Sequence, residues 1–175
     1  MNEKKFKEIF DSVEIVQDPK ELLWLVNLVE KTNPKIIIEI GVQNGGSLKF
    51  WEQLLPEGGL LIGIDTNDPQ RVVGWDWGKS NREIHLIEGN SRDVSVALRV
   101  HRILGQREAD FIFIDGEHGY EAVKGDFRLY SGFVRNGGLI GFHDIYEALD
   151  FFRFLSGMKF IAHNKMGTGV WWKGG

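Results

Sequence analysis

Between Asp18 and Lys31 the apolar residues Leu22, Leu23, Leu25, Val26, Leu28 and Val29 recur at helical spacing, behind Asp18-Pro19 as a cap and first-turn pair. The period then changes. Pro34 ends the helical pattern, and Lys35 to Ile40 is a short β-branched run of the kind shown by a strand buried on both faces. A helix from about Gly46 to Leu55 follows, and Pro56 to Gly59 turn the chain into a strand Leu60–Ile64 that ends in Asp65. Further along, strands are predicted at Ile84–Ile87, Asp110–Ile114 and Leu139–Phe142, with helices at Asp93–Leu104 and Tyr120–Phe133 between them. Asn136-Gly137-Gly138 reads as a turn. A last helix, about Tyr146 to Ser156, precedes two closing strands, Lys159–His163 and Gly169–Lys173. In the second of these, alternation should bury one of Trp171 and Trp172 and expose the other.

Strands alternating with helices imply right-handed βαβ units and a mostly parallel sheet covered on both sides, an α/β doubly wound Rossmann-like fold. At 175 residues and 42% hydrophobic content, one well-buried core is expected. The expectation is therefore one domain over residues 1–175, a helical segment 1–33 leading into a Rossmann-like core 34–175. A net charge of −4 argues against a nucleic-acid partner. The chain has no cysteine, so disulfides and thiolate metal sites are excluded. The charged start Met-Asn-Glu-Lys-Lys lacks the apolar run of a secretory signal, and no membrane-spanning stretch is seen, which makes the cytoplasm the expected location.

In doubly wound sheets the ligand lies beyond the carboxyl ends of the strands. The first strand runs into Glu39-x-Gly41-x-x-x-Gly45-Gly46-Ser47, where glycines let the backbone turn tightly and the helix start offers free amide donors. A nicotinamide dinucleotide site has the tighter Gly-x-Gly-x-x-Gly spacing. The wider spacing here, with an acid two residues before the first glycine, suits a cationic amino group better than a phosphate. Asp65, at the end of the second strand, is placed to receive ribose hydroxyls, with Thr66 beside it. Gly89, Asn90 and Ser91 end the third strand on the same edge, either as adenine contacts or as an ordinary turn. His118 either removes a proton from a substrate hydroxyl or orders its loop. Trp75 and Trp77 form either a stacking wall for substrate or an anchor packed on the sheet. His85, His101 and His163 read as structural or surface residues.

Three stretches, Ile37 to Leu48, Phe111 to Asp126 and Gly137 to Asp144, resemble class I S-adenosylmethionine-dependent methyltransferases. More narrowly they resemble the small-molecule O-methyltransferases grouped with macrocin and rhamnosyl O-methyltransferases and cephalosporin hydroxylase-like proteins. The likeness runs from about Gln17 to Lys173, and the Asp115-Gly-x-His118-x-Tyr120 stretch carries the subgroup. The resemblance implies a seven-stranded sheet with an antiparallel last strand and S-adenosylmethionine as cofactor, held by Glu39, Gly41, Gly45, Ser47, Asp65, Thr66, Gly89, Asn90, Ser91 and Asp115. It also implies a divalent metal, commonly magnesium, at Asp115, His143 and Asp144.

His143 departs from the subgroup, whose members tend to carry an acid there. A nitrogen ligand suits manganese, iron or zinc better, and a non-ligating His143 would instead serve as general base. Asp115, His118 and His143 are thus the expected catalytic residues, and metal-assisted O-methylation of a sugar, catechol-like or natural-product hydroxyl the expected reaction. A non-catalytic cofactor-binding module and a nicotinamide-dependent oxidoreductase are the alternatives. A small-molecule acceptor, with the chain as monomer or homodimer, completes the expectation.

Overall fold

The computed structural model describes residues 1–67 and 79–174; Trp75 and Trp77 lie outside the described residues. Two helices open the chain. α1 (Glu3–Phe10) starts at Asn2, whose side chain accepts from Lys5 N, and it buries only Phe6 and Ile9. α2 (Pro19–Glu30) has Asp18 as its cap, accepting from Lys20 N and Glu21 N, with Pro at the first turn. Its buried Leu22, Leu25, Val26 and Val29 follow the i, i+3, i+4, i+7 stripe that the sequence predicts.

β1 (Ile36–Ile40) is buried at every position and pairs in parallel with β2 (Leu60–Asp65) on one side and β4 (Ala109–Ile114) on the other. Burial on both faces is why its sequence is apolar at every position except Glu39. Between β1 and β2 stands α3 (Gly46–Leu54). β3 (Glu83–Glu88) pairs with β2, and α4 (Val94–Leu104) crosses back to β4. α5 (Tyr120–Tyr130) leads to β5 (Val134–Phe142), α6 (Leu149–Phe154), β6 (Lys159–Ala162) and β7 (Thr168–Trp172). The sheet order is β3-β2-β1-β4-β5-β7-β6, and β7 runs antiparallel to both of its neighbours, as expected for the last strand.

Two apolar layers sandwich the sheet. On one face Phe6, Leu25, Phe50, Trp51 and Phe111 join α1, α2 and α3 to the strands. On the other, Val100, Tyr130, Phe142 and Phe152 join α4, α5 and α6. Among the described residues no helix is long and apolar enough to cross a membrane.

Three boundaries differ from expectation. Asn136-Gly137-Gly138 does not end a turn before the strand: β5 already begins at Val134, and the glycines absorb a register irregularity opposite Ala109 and Phe111. The fifth helix stops at Tyr130, followed by a 3-10 turn, Ser131–Phe133. α6 starts only at Leu149, three residues later than the sequence suggests, because the chain turns at Asp144 with φ +50°. Trp171 and Trp172 are both half-buried, since each face of β7 is partly covered.

After β1 the chain builds outward to β2 and β3, then returns to place β4 on β1's other edge. That reversal opens a crevice at the carboxyl ends of β1 and β4, where such sheets hold ligands.

Candidate active site

The crevice is a cleft of about 440 Å³. Its floor is set by Gly41, which leaves β1 with φ +89°. A Cβ there would stand 2.1 Å from the Asp115 carbonyl oxygen, so only glycine lets the ends of β1 and β4 approach this closely. Gly45 caps α3 at φ +75° with no side-chain bond to the helix amides, leaving those donors free. Gly46 is hemmed in from the other side, its Cβ position lying 2.4 Å from the Glu14 carbonyl oxygen. The N-terminal segment thus crosses directly over the glycine loop.

Asp65 Oδ2 accepts from Gln43 N at 2.8 Å and Oδ1 from Asn67 N at 2.8 Å. Each oxygen keeps a further acceptor position toward the cleft. Gly41, Ser47, Asp65, Thr66, Gly89, Asn90, Ser91, Asp115, His118, His143 and Asp144 all line it, but Glu39 and Gly45 do not. Glu39 points instead from β1 beneath α3, fully buried beside Ser47 and Trp51, and neither carboxylate oxygen has a hydrogen-bond partner. Burial therefore holds its carboxyl well above the usual range, and the nearby charge of Asp115 pushes it the same way.

At the β3 end, Ser91 Oγ donates to Asp126 Oδ1 at 2.6 Å, and Tyr130 Oη donates to the Ser91 carbonyl at 2.8 Å. Asp126, on α5 and 1% exposed, is pushed up to about 6 by burial, with Ser91 and Arg92 opposing. A raised carboxyl pKa means that the folded state keeps a proton the unfolded chain releases. Stability from this group is full below about pH 4 and declines as pH rises to about 6, by about 3 kcal/mol for a shift of this size. Asp126→Asn should therefore raise the urea midpoint at pH 8 and leave it little changed at pH 4. Equal losses at both pH values would show that the charge carries no such cost.

At the β4–β5 end, Asp115, His118, His143 and Asp144 converge. Asp115 N donates to Ile40 O and His143 N to Ile114 O, so both side chains are fixed by strand ends. Asp115 Oδ1 lies 3.0 Å from His143 Nδ1 and 3.6 Å from His118 Nε2, and Oδ2 accepts from Gln17 Nε2. Asp144 Oδ2 lies 2.6 Å from His118 Nδ1, and its Oδ1 lies 3.2 Å from His143 Nδ1. Yet His143 Nδ1 and Asp144 Oδ1 are buried and aligned with no hydrogen-bond partner.

Burial raises the Asp115 carboxyl, but His118, His143 and Gln17 outweigh it and leave it lowered. His118 is raised by Asp115 and Asp144, and His143 is raised because the same carboxylates overcome its burial. Burial leaves Asp144 raised despite both imidazoles.

The ligand-type atoms of Asp115, His118 and His143 lie within 4.8 Å of one another, as do those of His118, Asp144 and Glu147. Proximity thus adds His118 and Glu147 to the donors that the sequence proposed. Buried, unpartnered atoms of nitrogen and oxygen type, His143 Nδ1 and Asp144 Oδ1, fit a divalent cation, manganese better than magnesium. The remaining histidines are engaged elsewhere: His85 pairs with Glu83, His163 with Tyr146, and His101 packs near Phe133.

Sheet order, glycine loop and a cleft at the carboxyl edge define a Rossmann-like protein. Residues 38–145 match the methyltransferase domain family, and the chain belongs to it. It is 28% identical over 142 residues to 8-demethyl-8-(2-methoxy-alpha-L-rhamnosyl)-tetracenomycin-C 3'-O-methyltransferase of Streptomyces olivaceus. That alignment takes in 71% of this chain and 33% of the relative, so the chain spans a third of that relative's length. Among solved structures it is similar to the mycinamycin-pathway methyltransferase MycE in complex with Mg, SAH and mycinamycin VI, with a TM-score of 0.67 and 21% identity over 87% of this chain and 49% of that one. A Bacillus cereus O-methyltransferase in complex with SAH gives a TM-score of 0.63 at 14% identity, covering 97% and 90% of the two chains.

Proposed function

We propose that the chain is an S-adenosylmethionine-dependent O-methyltransferase acting on a hydroxylated small molecule with the help of a divalent cation. The observation that carries this reading is the division of one cleft into a cradle at Gly41, Ser47 and Asp65 and a polar cluster at Asp115, His118, His143 and Asp144. The Mg and SAH bound by MycE support the same pairing of cofactor and metal.

Asp65 would accept from the ribose hydroxyls, and the free amides at the start of α3 would meet the polar end of the cofactor. Ser91 and Asn90 would border the adenine. Asp115 and His143 would hold the cation, with Asp144 Oδ1 turned to it, and when bound it would lower the pKa of the acceptor hydroxyl. His118 would take the hydroxyl proton at Nε2, because Asp144 keeps the proton of Nδ1 on the opposite side of the ring. S-adenosylmethionine, when bound, would supply the methyl group, its sulfonium sulfur being the leaving group. The protein's share of the rate would be in-line placement and exclusion of water.

Calorimetry with SAH, and turnover of a panel of sugars and catechols with and without EDTA, test the reading. SAH should bind, and turnover should vanish with chelator and return with Mg²⁺ or Mn²⁺. Chelator-insensitive turnover would remove the metal; binding without turnover would favour a non-catalytic module; tight binding of a nicotinamide dinucleotide in place of SAH would overturn the proposal.

A further inference from the structure

Gln17 sits just ahead of α2 in the segment Glu14–Gln17, which forms one wall of the cleft and lies outside the residues of the family match. Its side-chain amide donates to Asp115 Oδ2 across 98 residues of sequence. The segment cannot shift freely. On one side the Glu14 carbonyl packs on Gly46; on the other Asp18 caps α2 and accepts from Asn164 Nδ2 at 2.6 Å. Gln17 is therefore held at both ends, with its amide pointed at one oxygen of a buried carboxylate.

The two oxygens of Asp115 thus have different surroundings. Oδ2 is engaged by the N-terminal segment, whereas Oδ1 faces His143 and His118, and the unpartnered His143 Nδ1 and Asp144 Oδ1 lie on that same side. We propose that Gln17 restricts Asp115 to binding the cation through one oxygen, and by doing so sets the site against calcium. This rests on the metal reading given above.

The physical reason is the number of oxygens that each cation demands. Calcium takes about six to eight, often two from one carboxylate, whereas magnesium-like cations hold near-octahedral geometry. A cation drawing on Oδ2 as well would compete with Gln17 for that oxygen's lone pairs and weaken a hydrogen bond to a charged acceptor, which disfavours the two-oxygen mode by up to about tenfold. A carboxamide suits the task because it donates without adding charge, whereas a glutamate would compete as a ligand and a lysine would repel the cation.

The test uses the full chain with SAH. Mn²⁺ binding is followed by electron paramagnetic resonance, and Ca²⁺ is titrated in as the displacing ion, for the wild type, Gln17→Met and Gln17→Ala. Methionine keeps the length and apolar contact of glutamine, so it guards against collapse of the segment. The expected result is a preference for Mn²⁺ over Ca²⁺ in the wild type that falls by about tenfold in both variants. A merely structural role for Gln17 would weaken both ions in proportion and leave their ratio within about twofold; that outcome overturns the inference while Mn²⁺ still binds. If Mn²⁺ does not bind the wild type at all, the metal reading itself fails and the inference falls with it.

Discussion

Asp115→Asn is expected to lower methyl transfer by about a thousandfold while leaving SAH binding within about tenfold of the wild type. Polarising the acceptor oxygen through a cation contributes several kcal/mol, and each 1.36 kcal/mol is a factor of ten in rate. Losing about 4 kcal/mol gives the stated size. Asparagine keeps the shape of the side chain and can still accept from Gln17, so the wall of the cleft should stay in place. What it loses is the negative charge that His143 Nδ1 and His118 Nε2 face at 3.0 and 3.6 Å. With that charge gone, Asp144 Oδ1 at 3.2 Å remains as a carboxylate facing His143 Nδ1, so the imidazole keeps an acidic neighbour. The variant should match the wild type in EDTA and respond no further to chelator, because both remove one functional unit. Turnover within tenfold of the wild type, with or without EDTA, would take Asp115 out of the machinery.

Much of this arrangement could be read from the sequence wherever a residue's neighbours in the chain determine its environment. β1 and β4 are buried on both faces, so Ile36–Ile38 and Phe111–Ile114 read as apolar runs, and the polar residues that follow emerge at the carboxyl edge of the sheet. That Asp65, Asp115 and His143-Asp144 line the cleft was legible for that reason. α1 was legible only as part of a helical segment 1–33, its own bounds giving no signal because its eight residues are mostly charged and bury only Phe6 and Ile9. The glycines at 137 and 138 signal a turn but serve a strand irregularity, a distinction made by pairing with β4 rather than by local sequence. Glu39 shows a different limit. Its place before the glycine loop suggests a ligand contact, yet the pleat turns it to the α3 face, away from the cleft. Gln17, Asp126 and Glu147 carry no local signal at all, because their partners are brought in by the tertiary fold.

Gly41→Ala should cost about 3–5 kcal/mol of stability and reduce turnover at the same time, since one added methyl acts on both the fold and the site. The Cβ would stand 2.1 Å from the Asp115 carbonyl oxygen, 2.5 Å from its carbon and 2.7 Å from Gly116 Cα, all backbone atoms without a rotamer to yield. At φ +89° the alanine is also strained by its own backbone, by about 1–3 kcal/mol, and overpacking adds a similar amount. Relief requires the ends of β1 and β4 to separate, which disturbs the position of Asp115 at the end of β4 relative to His143 on the neighbouring strand. Against a typical total of about 5–15 kcal/mol, the loss should be plain in urea unfolding. Gly132→Ala is the matched control: a Cβ there meets nothing within 4 Å and φ is not positive, so its effect should stay within about 0.5 kcal/mol. If Gly41→Ala behaved like that control, the close approach of β1 and β4 would not be what holds Asp115 in place.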